Sequence, residues 1–332
     1  MAEPILTVRD LHTHFFAREG VIRAVDGVDL DVFAGRTLGV VGESGCGKSV
    51  TARSILGIVE KPGRVVGGSI VLHRENGTAE DLARLPPDSP AMRRIRGREI
   101  ALVFQEPMAS FSQYYTIGNQ IAEPIRLHLG LSKAQARARA IALLDQVGVP
   151  FPKRRVDEYP FQLSGGLRQR VMIAMALACD PRVLIADEPT TALDVTTQAQ
   201  VLDLLRELQR ERGLAIILIT HDMGVIAEMA HDVAVMYLGR AVESGPVRQI
   251  FARPQHPYTR ALLRSIPSVT AKPRTRLPTI AGSIPHPIDR PPGCPYNPRC
   301  AERLGEICIT REPPPIGVHG EHVRCFLHGG AA

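Results

Sequence analysis

The feature that most constrains this chain is the segment GESGCGKS, which occupies residues 42–49. It follows the apolar run LGVVG, which predicts a buried strand, and precedes SVTARSILGIV, which predicts a helix. Glycines at 42, 45 and 47 let the backbone turn tightly, so that its N–H groups face phosphate oxygens. The positive end of the following helix strengthens such an anion site. The segment therefore predicts a P-loop.

Two side chains of this loop have roles of their own. Lys48 is placed to reach the β- and γ-phosphates of a nucleotide, and Ser49 is placed to offer its hydroxyl to Mg²⁺. A Gly-rich turn without a ligand is the alternative, but the flanking strand and helix argue against it. The predicted nucleotide-binding set in this loop is Gly42, Glu43, Ser44, Gly45, Cys46, Gly47, Lys48 and Ser49.

A second apolar strand ends in two carboxylates, within RVLIADEPTTALD at residues 182–194. Asp187 closes the strand at the carboxyl edge of the predicted sheet, where α/β proteins bind ligands. We expect it to hold Mg²⁺, directly or through water. Glu188 follows immediately and points differently, so we expect it to act as the general base that polarises the attacking water.

The order of elements indicates the fold class. Short apolar runs bounded by turn signals lie at 38–42, 182–187 and 214–220, and helical spacing occurs at 134–148 and 196–213. This alternation predicts an α/β fold with a P-loop NTPase core. Residues 5–33 alternate more loosely and predict an antiparallel β subdomain.

Composition changes near residue 252. Of the 27 prolines, 14 lie beyond it, which predicts a tail of loops and turns with little regular structure. We therefore place an ATPase domain at 1–252, with a helical subdomain at about 107–180, and an extension at 253–332.

The bulk properties exclude few classes. The net charge of +6 suits a nucleotide, a nucleic acid or an anionic membrane surface equally well. No apolar run approaches the roughly 20 residues that span a bilayer, and the N-terminus lacks a signal pattern. The sequence thus predicts a cytosolic chain whose membrane association comes through a partner.

Further motifs resemble the ABC ATPase family. LSGGLRQR (163–170) resembles its signature motif, and Gln105, Asp194 and His221 match the positions of its Q-loop, D-loop and switch histidine. The resemblance implies that two such domains pair head to tail around two ATP molecules, each contacted by Ser164, Gly165 and Gly166 of the opposite domain. The fifth signature residue is leucine here, whereas the family more often has glutamine.

The resemblance also implies individual roles. His221 would contact the γ-phosphate and position water with Glu188, while Gln105 would sense Mg²⁺ and signal to a membrane partner. Phe15 is the candidate for stacking on adenine, with Phe16 as the other choice; packing within the β-sheet is the alternative for both rings. The cofactors implied are ATP and Mg²⁺.

A narrower resemblance concerns ATP-binding subunits of oligopeptide and dipeptide importers. It is carried by DGVDLDVFAGRTLGVVGESGCGKS, FQEPMASF and HPYTRALLRSIP. It implies two transmembrane permease subunits, a second ATPase subunit that is a copy or a paralogue, and an indirect link to an extracytoplasmic solute-binding protein. The chain would sit at the cytoplasmic face of the inner membrane. Related systems carry nickel, glutathione or oligosaccharides, and the sequence does not choose among these solutes.

Two other functions are alternatives to the importer hypothesis. A soluble ABC ATPase acting on ribosomes or DNA usually has two cassettes or long coiled-coil insertions, neither of which occurs here, so no nucleic-acid partner is expected. A redox or metal-sensing enzyme would leave the ATPase motifs unexplained. The segment from Gln105 to about Gln120 contains Phe111, Tyr114 and Tyr115, which either form a groove for a permease helix or pack inside the subdomain.

Four of the six cysteines crowd the tail, whereas Cys46 and Cys179 stand alone. Four thiolates satisfy the ligand count of a [4Fe–4S] cluster or a structural Zn²⁺, and their spacing does not choose between them. The absence of tight C-x₂₋₄-C pairs and the importer resemblance favour the cluster. Their distance from the P-loop in sequence suggests no part in ATP chemistry. These cysteines are Cys294, Cys300, Cys308 and Cys325.

Overall fold

The computed structural model describes residues 3–191, 193–266, 279–318 and 321–329. The strands are β1 Leu6–Ala17, β2 Gly20–Val32, β3 Thr37–Val41, β4 Gly63–His73, β5 Ala79–Asp81, β6 Ile100–Val103, β7 Val183–Asp187, β8 Ala215–Thr220, β9 Asp232–Tyr237, β10 Arg240–Pro246, β11 Ile316–Val318 and β12 Glu321–Val323. The helices are α1 Lys48–Ile55, α2 Pro90–Ile95, α3 Pro107–Ser110, α4 Ile117–Leu129, α5 Lys133–Gln146, α6 Pro152–Arg155, α7 Gly165–Ala176, α8 Val195–Arg212, α9 Met223–Met229, α10 Val247–Ala252, α11 Pro257–Arg264 and α12 Glu306–Thr310.

The chain forms two compact units. The first comprises Met1–Ile5, Val32–Arg36 and Leu85–Ile219. In it, β7 pairs in parallel with β6 on one side and with β8 on the other. Every residue of β7 and β8 is buried, as expected for apolar strands covered on both faces. Helices α4, α5 and α7 pack together in the same unit.

The second unit comprises Leu6–Asp31, Thr37–Arg84 and Thr220–Ala332. One sheet has the order β2-β1-β4-β5, with β1 antiparallel to β4. Elsewhere in the unit β3 pairs in parallel with β9, and β10, β12 and β11 follow as antiparallel neighbours. The P-loop and the described part of the extension therefore belong to the same unit.

The helices begin and end where local chemistry dictates. Asp194 precedes α8 and accepts a hydrogen bond from the Thr197 N–H, and Gly213 ends the helix in the left-handed conformation. Ser132 and Gln135 form a capping box at the start of α5. The predicted strands and helices are confirmed to within a residue or two at these places. None of the helices in the described ranges is long and apolar enough to cross a membrane.

In its described residues the Pro-rich tail consists mainly of loops and turns, as predicted, with only short helices and strands between them. Aromatic packing stabilises this part of the chain. Tyr258 on α11 is fully buried, and its ring centroid lies 4.7 Å from that of Tyr237 and 5.3 Å from that of Tyr296. Large aromatic side chains supply much buried apolar area for each residue that is ordered. Three tyrosines thus form a small core for this part of the unit.

Two carboxylates are buried beside this core, Glu243 on β10 and Glu321 on β12. Glu243 accepts hydrogen bonds from the backbone N–H groups of Gln255 and His256, at 2.6 and 3.1 Å. The Oε2 atom of Glu321 has no hydrogen-bond partner among the residues that the structure describes. Burial, with the charge of Glu243 adding to it, raises the pKa of Glu321 to about 7.

This pKa predicts a pH-dependent stability. The usual pKa of the carboxyl is 4.5, so the contribution of Glu321 is complete below about pH 4.5 and is lost as the pH rises through 7. Glu321→Gln carries no charge at any pH. The free energy of unfolding of the variant, taken relative to that of the wild type, should therefore be higher at pH 8 than at pH 5 by on the order of 2 kcal/mol. The difference in Tm between variant and wild type should rise by several degrees over the same range. Calorimetry at both pH values measures this, and an unchanged Tm difference would contradict it.

Candidate nucleotide site

The P-loop follows β3, and two of its glycines have no room for a side chain. Gly42 has φ +151°, and a Cβ there would lie 2.2 Å from the carbonyl oxygen of Met236. Gly47 has φ +103°, and a Cβ there would lie 2.2 Å from the carbonyl oxygen of Ala24. The glycines thus allow the close backbone approach and the tight turn that a phosphate cradle requires.

Helix α1 begins at Lys48, directly after this turn. The Lys48 side chain is 6% exposed and its ammonium donates to the carbonyl oxygens of Gly42 and Glu43, at 2.7 and 3.1 Å. The positive charge is therefore held against the loop itself, beside Ser49 and the first turn of the helix. Burial raises the pKa of the neighbouring Cys46 thiol, so this thiol remains neutral.

The carboxylates belong to the first unit. Asp187 is the last residue of β7 and is buried, whereas Glu188 follows in the left-handed region with φ +49°. Its carboxylate accepts hydrogen bonds from Thr191 Oγ1 at 2.7 Å and from Gln105 Nε2 at 3.3 Å. A non-glycine residue in this backbone conformation is costly, and such residues cluster at functional sites. The structure thus brings together two residues that lie 83 positions apart.

The signature residues stand at the start of α7, also in the first unit. Ser164 precedes the helix, and its hydroxyl accepts from the Leu167 N–H at 3.4 Å. A Cβ at Gly165 would meet nothing within 4 Å, whereas one at Gly166 would lie 2.6 Å from the Thr197 methyl carbon. The fold of this chain therefore gives no reason for glycine at 165. Exposed backbone at a helix N-terminus is suited to an anion.

Four other candidate residues differ in their surroundings. Asp194 caps α8 through Thr197, whose hydrogen bonds lower the pKa of that carboxyl. His221 follows β8 in the second unit and is exposed. Phe15 is half-buried against the position of Gly63, where an added Cβ would lie 2.6 Å from the ring. Phe16 is 40% exposed, and the Arg64 guanidinium lies over its ring at 4.6 Å.

The four tail cysteines line one cavity in the second unit. Burial, together with the neighbouring thiols, raises the pKa of Cys294 to about 12 and that of Cys325 to about 11. Among the described residues, no three of the cysteine sulfurs lie within 4.8 Å of one another. Around a tetrahedral Zn²⁺ with Zn–S bonds of 2.3 Å, sulfurs lie about 3.8 Å apart. In the described residues the four sulfurs therefore do not form the compact ligand set of one zinc ion.

The segment that carries these cysteines is far from the P-loop in sequence, but it contacts the P-loop in the folded unit. Arg299, which precedes Cys300, donates two hydrogen bonds to the carboxylate of Glu43 in the P-loop. Sequence patterns could not show this pairing, because a single arginine 256 positions away carries no local signal.

Comparison with known proteins shows the family to which the chain belongs. Residues 25–191 match the family model described as ABC transporter, which covers half of the chain. The chain belongs to the ABC transporter family. Its enzymatic class follows, since the catalytic cassette of this family hydrolyses ATP. Residues 242–308 of this ABC protein match a second model, described as oligopeptide/dipeptide transporter, C-terminal region.

Relatives of the ABC protein extend over nearly its whole length. A Brucella melitensis protein with a provisional name as a peptide import ATP-binding protein is 50% identical over 331 residues, which are 98% of this chain and 97% of the relative. The dipeptide transport ATP-binding protein DppD of Escherichia coli is 49% identical over 93% of this chain and 92% of its own.

A solved structure resembles the ABC protein at the level of the fold and the sequence. It is a dimeric post-hydrolysis state of the ATP-binding cassette MJ0796 bound to ADP and Pi, with a TM-score of 0.64 and 26% identity. The likeness covers 73% of this chain and 99% of the cassette. The predicted α/β ATPase fold is confirmed by this likeness.

Sequence reasoning missed one cluster in the ABC protein, formed by His12, His14 and Asp26. Asp26 accepts hydrogen bonds from Arg240 and Arg290. Burial would raise the pKa of Asp26, but the two guanidinium groups hold it at about 2. A divalent cation here would face both guanidinium charges, so the cluster serves the packing of β1 and β2 against the extension.

Proposed function

We propose that this chain is the ATP-hydrolysing subunit of an importer that takes up di- and oligopeptides through partner membrane subunits. One observation carries the proposal: an intact set of ATPase motifs is followed in the same chain by the oligopeptide/dipeptide-type C-terminal region. The relatives from Brucella melitensis and Escherichia coli, a peptide import and a dipeptide transport ATP-binding protein, support the same solute class.

The proposed chemistry assigns each polar group a task. The amides of residues 45–49 and the Lys48 ammonium bind the phosphates, while Ser49, Gln105 and Asp187 hold Mg²⁺. Glu188 takes the proton of the attacking water, and His221 contacts the γ-phosphate. Phe15 stacks on the adenine. Thr191 and Gln105 orient the Glu188 carboxylate, as their hydrogen bonds in the structure suggest.

The proposal includes a second ATPase subunit, a copy or a paralogue of this one. Ser164, Gly165 and Gly166 would contact the nucleotide of that partner, and Asp194 would lie at the same junction. The open surroundings of Gly165 support this, because a glycine that its own fold does not require is available for close approach by another molecule. The similar cassette MJ0796 is likewise dimeric in its solved structure.

Two permease subunits would dock on the helical part of the first unit, at the cytoplasmic face of the membrane, with a solute-binding protein linked indirectly. Phe111 is buried there, so the interpretation of this ring as part of the groove is wrong. Tyr114 and Tyr115 are 89% and 60% exposed, and Tyr115 lines a groove with Asn119, Gln120 and Glu123. Exposed aromatic side chains beside a groove are favoured anchors for a partner.

This docking surface predicts a cross-linking pattern. A photo-reactive phenylalanine at position 114 or 115 should cross-link to the membrane subunits in the intact complex. The matched control is position 151, where Phe151 is 74% exposed but does not line the groove. Mass spectrometry of the products identifies the partner. Links that stay within the chain from 114 and 115, or equal linkage from 151, would overturn the assignment.

The four tail cysteines are proposed to hold one [4Fe–4S] cluster, with Zn²⁺ as the alternative occupant. Four convergent thiols in one cavity satisfy the ligand count of either group. The lack of tight C-x₂₋₄-C pairs and the oligopeptide/dipeptide-type C-terminal region support the cluster. Bound, the group would supply folding energy to a tail with few apolar residues.

Deletion and complementation test the transport function. Cells that lack the gene should lose uptake of a radiolabelled dipeptide, and the wild-type gene should restore it. The Glu188→Gln variant should not restore it, although it is produced at a normal level. Undiminished dipeptide uptake in the deletion strain, together with loss of nickel or oligosaccharide uptake, would redirect the proposal to another solute.

A further inference from the structure

The second residue of the P-loop, Glu43, is held by two residues of the C-terminal extension. We propose that Arg299 and Tyr258 are positioning residues for nucleotide binding, because they fix Glu43 and neutralise its charge. The inference rests on the proposal that the P-loop binds ATP. It assigns to the extension a role in ATP affinity that its place in the sequence does not suggest.

Arg299 contacts the Glu43 carboxylate with both ends of its guanidinium group. The Nη1–Oε2 and Nη2–Oε1 distances are 2.7 and 3.0 Å, and the Arg299 side chain is only 4% exposed. Its Nε also donates to the Ala281 carbonyl oxygen at 2.9 Å. The Glu43 side chain is 25% exposed, so the contact is partly shielded from water. A two-pronged guanidinium–carboxylate contact is among the most directional ion pairs in proteins.

Tyr258 holds the backbone of the same residue. The Glu43 N–H donates to the Tyr258 hydroxyl at 2.9 Å, and the tyrosine itself is fully buried. Because this amide is committed to Tyr258, it is not aimed into the phosphate cradle. The carbonyl oxygen of Glu43 meanwhile accepts from Lys48. One residue thus links the extension to the lysine that is proposed to bind phosphate.

The charge of Glu43 is the reason that the contact matters for affinity. A carboxylate within the loop repels the triphosphate, and water reduces this repulsion only in part, because the Glu43 side chain is 25% exposed. The Arg299 charge cancels this repulsion, and its geometry keeps the carboxylate turned toward the extension. Loss of Arg299 would leave a negative charge in an anion site and remove a restraint on the loop.

The test is a double-mutant cycle on the full-length chain, with ATP affinity measured by isothermal titration calorimetry. Arg299→Met should weaken ATP binding by about tenfold, the factor that corresponds to 1.4 kcal/mol. Glu43→Gln can itself change ATP affinity, because Glu43 belongs to the P-loop, so the cycle compares the effect of Arg299→Met in the two backgrounds. With glutamine at position 43 the tenfold loss should shrink to less than about threefold, because no unmatched charge remains. Tyr258→Phe, which removes only one hydroxyl, should weaken binding by about threefold.

Arg260→Met is the matched control. Arg260 is an arginine of the same extension that pairs with Glu302 at 3.0 Å and makes no hydrogen bond or ion pair to the P-loop in the described residues. The Arg260→Met variant should bind ATP as the wild type does. The Tm and the metal content of every variant are measured as well, so that unfolding or metal loss is not mistaken for weaker ATP binding. Wild-type affinity in Arg299→Met, equal weakening by Arg260→Met, or an undiminished loss in the Glu43→Gln background would each overturn the proposal. If the wild type and Lys48→Ala bind ATP equally, the P-loop assignment itself fails instead.

Discussion

The Glu188→Gln variant is expected to stop steady-state ATP hydrolysis while it retains ATP binding. The amide has nearly the size of the carboxylate, so the contacts with Thr191 and Gln105 can be kept in altered form. An amide cannot take up the proton of the attacking water. Removing a general base typically lowers kcat by 10²–10⁴-fold. Phosphate release at saturating MgATP measures this loss, and calorimetry measures the affinity.

Lys48→Ala provides the complementary result. It removes the ammonium that is held against the P-loop carbonyl oxygens, so it should lose ATP affinity as well as turnover. Nucleotide-bound pairs of cassettes should accumulate with Glu188→Gln but not with Lys48→Ala, as size-exclusion chromatography with ATP would show. Hydrolysis by Glu188→Gln at the wild-type rate would reject Glu188 as the general base.

Protein purified without oxygen is expected to be brown and to contain about four iron and four sulfide per chain. Without a cation the Cys294 and Cys325 thiols would remain protonated, because burial raises their pKa values to about 12 and about 11. Metal ligation ionises them and contributes folding energy. Cys308→Ser should therefore lose the iron and expose the extension to limited proteolysis, while the first unit stays intact.

Cys179→Ser is the control for this experiment. Cys179 is also a buried cysteine, but it lies in the first unit and does not line the four-cysteine cavity. Its variant should keep the full iron and sulfide content. Colourless anaerobic protein with one zinc per chain would replace the cluster with zinc and keep the four ligands. Equal iron loss in Cys179→Ser would reject the ligand assignment.

The sequence predicted those parts of the site that depend on local chemistry. The P-loop, the β7 strand that ends at Asp187 and the start of α8 at Asp194 each combine turn residues, apolar runs and caps within a few positions. Short apolar runs became strands because parallel strands are buried on both faces. The prolines beyond residue 252 indicated a tail with little regular structure because proline removes backbone donors.

Long-range pairings were beyond such reasoning. The contact of Arg299 with Glu43 and that of Arg290 with Asp26 join residues more than 250 positions apart, and nothing near either residue specifies its partner. The ring positions were also open: the spacing of Phe111, Tyr114 and Tyr115 fits both a groove and a core. Packing in the folded helical region decides that Phe111 is buried and that the tyrosines are exposed.

The contact between Arg299 and Glu43 also sets an order of events during synthesis. The two residues lie 256 positions apart, so a ribosome that adds about 5–20 residues per second makes Arg299 roughly 13–50 s after Glu43. During that interval the emerging P-loop has its glycines and its lysine but lacks Arg299, and for most of it also lacks Tyr258. The P-loop of a nascent chain therefore gains its ion pair with Arg299 long after the loop itself has been made.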